Sequence, residues 1–516
     1  MFRATLTARL AAVALLALPF AAPSANAETS LTIAVRRDSN SIAENNFNFT
    51  TRGPVAQVVE TGVQPDANFV PQPLLFDAWD YAGGTYTITL HPGISFSNGT
   101  PFNADTAIAA LQLYDRNKSD FLQIDPASFT KLGDLSFSFR SETNSALVIE
   151  NMTHRGTSLF ADVADRATNP IGTGPYLLES YDPKVSLTVV RNPTYWGTPR
   201  NIDRLNFRYI TDDNARLLAL QNGEIDIIAD VTPQMMLSMP QDGSVVLHES
   251  RPIRYVALLA NVNGKAPFDI LKDRAVREAV AWAIDREAIA GVLFGGRGVP
   301  AKGILPGWMF NLGDDHTDGF GYDPAKAAAL LDAAGWKPGA GGVREKDGRK
   351  LTLRFLAAYP NVTSVKPMPE MLEQMFTAVG IDVDLVEVDD AGVYSDTYLA
   401  NGEADLFMEF ASNNNTDPTY LLTMLFTTTT PWGGYQFTAP GAHVDKLLAD
   451  ARAAQSRDEV IAGVRAAHRA IVQDDLTAIP ILMVPNFVLS RPGLEVPMSE
   501  FTDWIDYGMT RIVAKQ

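Results

Sequence analysis

No cysteine occurs in the 516 residues. That absence excludes a disulfide framework, thiolate-ligated zinc, iron–sulfur clusters, a cysteine nucleophile and lipid attachment through cysteine. Histidine is scarce. The six are His91, His154, His248, His316, His443 and His468, and none lies within four residues of another. No paired-His zinc motif exists, so a metal cage made by protein alone is not expected. Positive charge is in deficit: 42 Lys and Arg face 60 Asp and Glu, for a net charge of −18. No run of Lys and Arg interrupts that balance, which argues against a nucleic-acid partner. Catalytic signatures are missing as well. There is no G-x-S-x-G elbow, and the glycine-rich stretch 339–342 lacks the Lys-Ser/Thr of a phosphate loop. Acidic pairs such as Asp212-Asp213, Asp314-Asp315 and Asp389-Asp390 read as helix caps or solvated loops. Nothing sets two carboxylates across a substrate. A secreted hydrolase or glycan-active enzyme is therefore the weaker class, and no covalent cofactor is expected.

What is present begins with a leader. Arg3 and Arg9 precede an apolar run over residues 10–22, and Ala25-Asn26-Ala27 has the A-x-A form of a cleavage site. Residues 1–27 read as a secretory signal peptide cleaved after Ala27, and the run is too short to span a bilayer. Export without a disulfide or a lipid-attachment cysteine fits the periplasm. The length exceeds one ordinary core and predicts two or more lobes. Residues 31–35 read as a buried strand, 84–97 as a hairpin turning at His91-Pro92-Gly93, and 103–113 as a helix capped by Asn103. Residues 269–294 read as one helix stopped by Gly295-Gly296, and Asp323-Pro324 starts another that ends at Gly335. Residues 458–472 read as helix. The strand 479–489 is interrupted on paper by Pro480 and Pro485. Two segments share one form, "helix, Asn-Gly-Glu, buried strand": 213–229 and 394–408. Their recurrence predicts two α/β lobes of related construction.

Several strings, taken in order, resemble the large periplasmic solute-binding proteins of ABC importers for peptides and nickel. They are Phe96-Ser97-Asn98-Gly99-Thr100-Pro101-Phe102, Gly172-Thr173-Gly174-Pro175-Tyr176 and Arg191-Asn192-Pro193-Thr194-Tyr195-Trp196-Gly197. The helix-to-strand segment 215–226, Val276-Arg277-Glu278-Ala279-Val280 with Ala283-Ile284-Asp285-Arg286, and Tyr322-Asp323-Pro324 leading to Gly335-Trp336 complete the set. The resemblance spans nearly the whole mature chain. It implies an α/β fold of two lobes that close on a ligand, joined by two hinge crossings near 254–259 and 482–487. The implied division is 28–256 plus 485–516 for the first lobe, with an inserted subdomain at about 50–190, and 257–484 for the second. It also implies a monomer whose partners are a small-molecule ligand and the transmembrane subunits of an ABC permease. Most of these motifs are architectural and do not name the ligand.

The ligand class rests on positions that resemble cleft residues. Peptide-binding relatives carry an Asp that holds the peptide amine; the matching position here is Asn414, within residues 411–418. A neutral amide loses the charge-assisted part of that contact. The nickel-binding branch looks closer. Its Arg, which pairs with carboxylates of a small chelator around the metal, matches Arg155. Arg suits the task because its planar fork binds carboxylate bidentately and keeps its proton. Lys118 and Phe121 match a second basic position and an aromatic of that branch, and Arg52 falls on a cleft-lining position. The branch's metal-ligating His is replaced here by Thr430. His154, beside Arg155, is the one metal candidate, set against the plainer reading of a hydrogen-bonded loop residue. Asn413, Asn414, Asn415 and Thr416 would suit a polar ligand, with Tyr394 and Trp432 at the cleft wall. The expected ligand is a small carboxylate-bearing molecule, with any metal held as a chelate. A di- or oligopeptide is the alternative.

Overall fold

Ser30–Val35 is a short run of apolar and β-branched residues, and it forms a central strand. It pairs in parallel with Arg204–Tyr209 on one side and Ile227–Ile228 on the other. A strand flanked on both edges and covered on both faces has to be nearly all apolar. Leu31, Ile33 and Ala34 are accordingly buried. The computed structural model describes residues 28–36, 57–142, 145–165, 168–314, 317–358, 365–388, 390, 393–413, 415–429, 434–441, 443–500 and 505–513. The leader at 1–27 and the site candidates Arg52, Asn414 and Trp432 lie outside them. So do the side chains at 114–121, which include Lys118 and Phe121, although the helix Ala104–Leu122 is described.

The protein is a two-lobed α/β structure built on one mixed sheet. From the edge of the first lobe its strands run Tyr176–Asp182, Ser186–Arg191, Arg204–Tyr209, Ser30–Val35 and Ile227–Ile228. The sheet continues through Ala478–Ser490, Val246–Ala260, Leu406–Ser412, Thr352–Ala358 and Asp382–Val388. The two long strands serve both lobes. Ile227 and Ile228 pair with Ser490 and Leu489 at one end, while Leu406 to Ser412 pair with residues 254–260 at the other. Between these ends the long pair loses register around Pro252, which faces Pro485. Proline cannot donate to a ladder, so both prolines sit where regular pairing lapses. Ala478–Ser490 thus stays one strand, where the sequence suggested an interrupted one.

A separate four-stranded sheet, Phe76–Ala82, Thr85–Leu90, Ser136–Arg140 and Thr130–Gly133, carries its own core from Val63 to Ala161. The hairpin here differs from the expected one. Its turn is Gly83-Gly84, both at positive φ, and its partner strand precedes it. Residues 91–96 form a loop rather than a returning strand, because the other edge of Thr85–Leu90 is taken by Ser136–Arg140.

The expected helix 269–294 is two helices, Arg274–Ala283 and Arg286–Phe294. Ile284 is extended, and the Asp285 side chain accepts from the Ala288 N–H at 2.9 Å, capping the second helix. The break turns Arg286 inward, where its guanidinium donates to the carbonyls of Pro480 and Ala281. The other caps follow the sequence. Asp323 accepts from Lys326 N–H at 2.8 Å, and Asp212 accepts from Ala215 N–H at 2.7 Å. Both Asn-Gly stops place glycine at positive φ, at Gly223 and Gly402. In the second lobe, alternation along Val246–Ala260 feeds two cores. Val256 and Leu258 face one, and Tyr255, Ala257 and Leu259 face the other.

Candidate functional site

Two of the sequence strings, 172–176 and 191–197, converge on one buried carboxylate, Glu60. Thr173 Oγ1 donates to it at 2.8 Å, Tyr195 OH at 2.7 Å and Trp196 Nε1 at 3.0 Å. Asn192 Nδ2 ties the same strings together by donating to Gly174 O at 3.1 Å. Gly172 and Gly174 press against the chain that carries Glu60. A Cβ at Gly172 would lie 2.1 Å from the Val58 carbonyl oxygen, and one at Gly174 would lie 2.6 Å from it. Burial raises the Glu60 pKa, against the lowering effect of its three donors. Beside this carboxylate stand Arg200, paired with Asp506 at 2.9 Å, and Arg155. Burial pushes the Arg155 guanidinium down to about 10, against the opposing charges of Asp506 and Glu60. Arg155 is only half-buried by accessible surface, yet strongly desolvated.

Arg155 begins a short 3-10 turn, Arg155–Thr157, that is capped by His154. The His154 Nδ1 accepts from the Gly156 N–H at 2.9 Å, and the ring is fully buried. The plainer reading of His154 therefore has a structural basis, since the histidine shapes the loop that presents Arg155. Among the described residues no group of three His, Cys, Asp or Glu could hold a metal ion. Replacing His154 with alanine should cost about 1–2 kcal/mol of stability through the lost cap. Asn at this position should recover part of the loss in a denaturant titration.

The segment just before Arg155 meets the second lobe. Thr416 N–H donates to Thr153 Oγ1 at 2.9 Å, and Asn415 Nδ2 donates to Asn151 Oδ1 at 3.0 Å. Arg457 lies 3.5 Å from Glu150 and donates to the Phe69 carbonyl at 2.9 Å. Phe69 and Leu147 are themselves buried in a core of the second lobe. Asn413, Asn415 and Thr416 are all buried. Asn415 and Thr416 spend hydrogen bonds on the facing lobe, and Asn413 Nδ2 donates to the Asn415 carbonyl. Asn413 Oδ1 has no partner among the described residues. Asp417, the anchor of this loop, accepts from Thr419 N–H at 2.8 Å and Thr419 Oγ1 at 2.7 Å. Burial pushes Glu150 up to about 7, with Arg457 opposing.

One strand leads away from this contact into the second lobe. Along Leu406–Ser412, Phe407, Glu409 and Ala411 share the face that carries Tyr255 and Ala257 on the neighbouring strand. Tyr394 packs edge-on against Phe407, with ring centroids 6.4 Å apart. Glu409 is half-buried, and desolvation alone pushes it up to about 7. Tyr394 is likewise half-buried, with its hydroxyl pKa raised by burial and by the Glu409 charge. The sequence points to Tyr394 but passes over Glu409 and Tyr255. One signal was available: an acid inside the otherwise apolar run Leu406-Phe407-Met408-Glu409-Phe410.

Among the described residues no helix is long and apolar enough to cross a membrane. A family model described as bacterial extracellular solute-binding proteins, family 5, middle region, matches residues 70–432. The nickel-binding periplasmic protein of Escherichia coli (strain K12) is 27% identical over 458 residues, 84% of each chain. NikA from Brucella suis, in complex with Fe(III)-EDTA, has a TM-score of 0.83 at 21% identity, covering 94% of this chain and 100% of that one. A dipeptide-binding protein from Pseudoalteromonas sp. SM9913, in complex with Met-Leu, has a TM-score of 0.75 at 19% identity, over 94% and 100% of the two chains.

Proposed function

The chain belongs to family 5 of the bacterial extracellular solute-binding proteins, and on that premise we propose that it captures a small carboxylate-bearing ligand between its lobes and delivers it to the permease of an ABC importer in the periplasm. The observation that carries this reading is Arg155. It is a desolvated guanidinium beside the place where residues 150–153 of one lobe bond to residues 415–416 of the other. A cation in that position favours a ligand carboxylate. The hydrogen bonds across the lobes favour the closed form once a ligand bridges them. The charges of Asp506 and Glu60 act on Arg155; Asp506 also pairs with Arg200, and Glu60 accepts from three neutral donors.

A metal enters this scheme as cargo within a chelate. His154 spends Nδ1 on the loop and has no second and third acidic or histidine ligand grouped with it among the described residues. The carboxylates of the chelator would meet Arg155, with Lys118 adding charge. The second reading, a peptide receptor, is favoured by the likeness to a protein whose structure holds Met-Leu. It is disfavoured by Asn414, which puts a neutral amide where an acid would hold an amine.

Thermal-shift titrations with Fe(III)-EDTA and with Met-Leu separate the two. Fe(III)-EDTA is expected to raise the melting temperature in a saturable way, and Arg155→Ala to abolish the shift. A shift with Met-Leu alone would move the protein to the peptide reading. In that case Asn414→Asp should strengthen Met-Leu binding about tenfold or more, the scale of a charge-assisted bond replacing a neutral one.

A further inference from the structure

Glu409 is a charged residue in a place built for apolar ones. Its strand neighbours on the same face are Phe407 and Ala411, and the adjacent strand adds Tyr255 and Ala257. No hydrogen bond or ion pair engages its carboxylate among the described residues, and desolvation is the one cause of its raised pKa. Two tyrosines are close enough for the Glu409 charge to raise their pKa values, Tyr255 and Tyr394. They are the titratable groups that face it from the strand Val246–Ala260 and the segment Val393–Leu399 among the described residues. Tyr255 is 1% exposed, and its hydroxyl has no hydrogen-bond partner among the described residues. Two polar groups therefore stand side by side with their bonding capacity unspent. Glu409 keeps some accessible surface although protein surrounds it, so a small group can reach it. Leaving both unmatched is costly, and a buried carboxylate recovers that cost from a positive partner that also donates hydrogen bonds.

We infer that Glu409, with the hydroxyls of Tyr255 and Tyr394, forms a subsite on the second lobe for a cationic nitrogen of the ligand, a protonated amine or a guanidinium. The inference rests on the capture reading above and adds a cationic nitrogen to the carboxylate of the natural ligand; Fe(III)-EDTA, which lacks such a nitrogen, tests the carboxylate half alone. The tyrosine hydroxyls, kept neutral by burial, accept from the nitrogen. The subsite lies four residues along the strand from Asn413, about 13 Å at the usual strand rise. Arg155 lies two residues beyond Thr153, on the far side of the contact between lobes. A ligand carrying a carboxylate and a cation some distance apart would engage one lobe with each, so that closure depends on both charges. The acidic function that Asn414 lacks in the loop is then supplied from deeper in the same strand.

The experiment is a thermal-shift and calorimetric screen of the full mature chain. The probes are amino acids, dipeptides including Met-Leu, and ω-amino carboxylates, each paired with its fully N-acetylated counterpart. At least one free amine is expected to bind tenfold or more tightly than its acetylated form. Glu409→Gln should remove that preference while leaving affinity for the acetylated form unchanged. Folding of the variant is checked without ligand. Removal of an unpaired buried carboxylate should raise its melting temperature slightly at pH 5 and clearly more at pH 8, because the penalty grows as pH rises from the unfolded pKa through the folded one, about 7. Equal binding of free and acetylated probes, or equal preference in Glu409→Gln, would overturn the subsite and leave the carboxylate receptor standing. No binding by any probe of either kind would overturn the subsite, and the carboxylate receptor falls with it only if Fe(III)-EDTA also leaves the melting temperature unchanged.

Discussion

Arg155→Ala should weaken binding of a carboxylate ligand about 100-fold or more, while the two lobes still fold. A charge-assisted hydrogen bond to a guanidinium is worth about 1.5–3 kcal/mol. Truncating one partner of a desolvated charge pair costs about 2–5 kcal/mol, because the other charge is left stranded. A 100-fold loss is about 2.7 kcal/mol, within both ranges, and suits a guanidinium that is desolvated. Arg155→Lys should lose about tenfold, because a point charge replaces a fork. Structural loss would look different. If Arg155 served chiefly to neutralise Asp506 and Glu60, Arg155→Ala would lower the melting temperature without ligand, and Arg155→Lys, which keeps the charge, would largely preserve it. Calorimetry and unliganded melting, run on the same samples, separate the two roles.

Gly172→Ala should destabilise the first lobe by about 3 kcal/mol or more, the severe end of overpacking effects. The added Cβ would lie 2.1 Å from the Val58 carbonyl oxygen and 2.8 Å from Val59 Cγ1. Neither can give way freely, because the Val58 carbonyl accepts from the Gly174 N–H at 3.0 Å, and two residues on Glu60 is held by three donors. Gly99→Ala supplies the contrast. Gly99 has φ of +85° with nothing within 4 Å of an added Cβ. Only the left-handed conformation is penalised there, at about 1–2 kcal/mol. Urea midpoints for the two variants should therefore differ clearly. Equal midpoints would mean that the contact at Val58 is softer than it looks.

The fold was readable where local chemistry and packing agreed. Residues 31–35 had no reading other than a buried strand, and Asp212, Asp323 and Gly402 marked helix ends that hold. The failures share a cause, which is that tertiary pairing overrode local pattern. Ile94 and Phe96 alternate like a returning strand, but the edge they would join belongs to Ser136–Arg140. The apolar spacing across 269–294 runs on through Ile284, yet Asp285 caps a new helix so that Arg286 can reach the Pro480 carbonyl. At the site, Arg155 was found through its resemblance to a known Arg, not through its surroundings. Glu409 was passed over because its meaning depends on Tyr255, 154 positions earlier, and on the absence of a partner among the described residues. Pairing across strands is invisible to periodicity. Asn415 and Thr416 carry the polarity expected of ligand contacts, and the structure shows them donating to Asn151 and Thr153 of the facing lobe, a pairing no local pattern reveals.

The most direct measurement is native mass spectrometry with metal analysis of the protein purified gently from its own cells, without chelators, alongside Arg155→Ala treated in the same way. The expected result is one small carboxylate-bearing molecule bound per chain, with or without a metal in matching amount, and its loss from the variant. The same molecule retained by Arg155→Ala, or a ligand with no carboxylate, would contradict capture through this guanidinium.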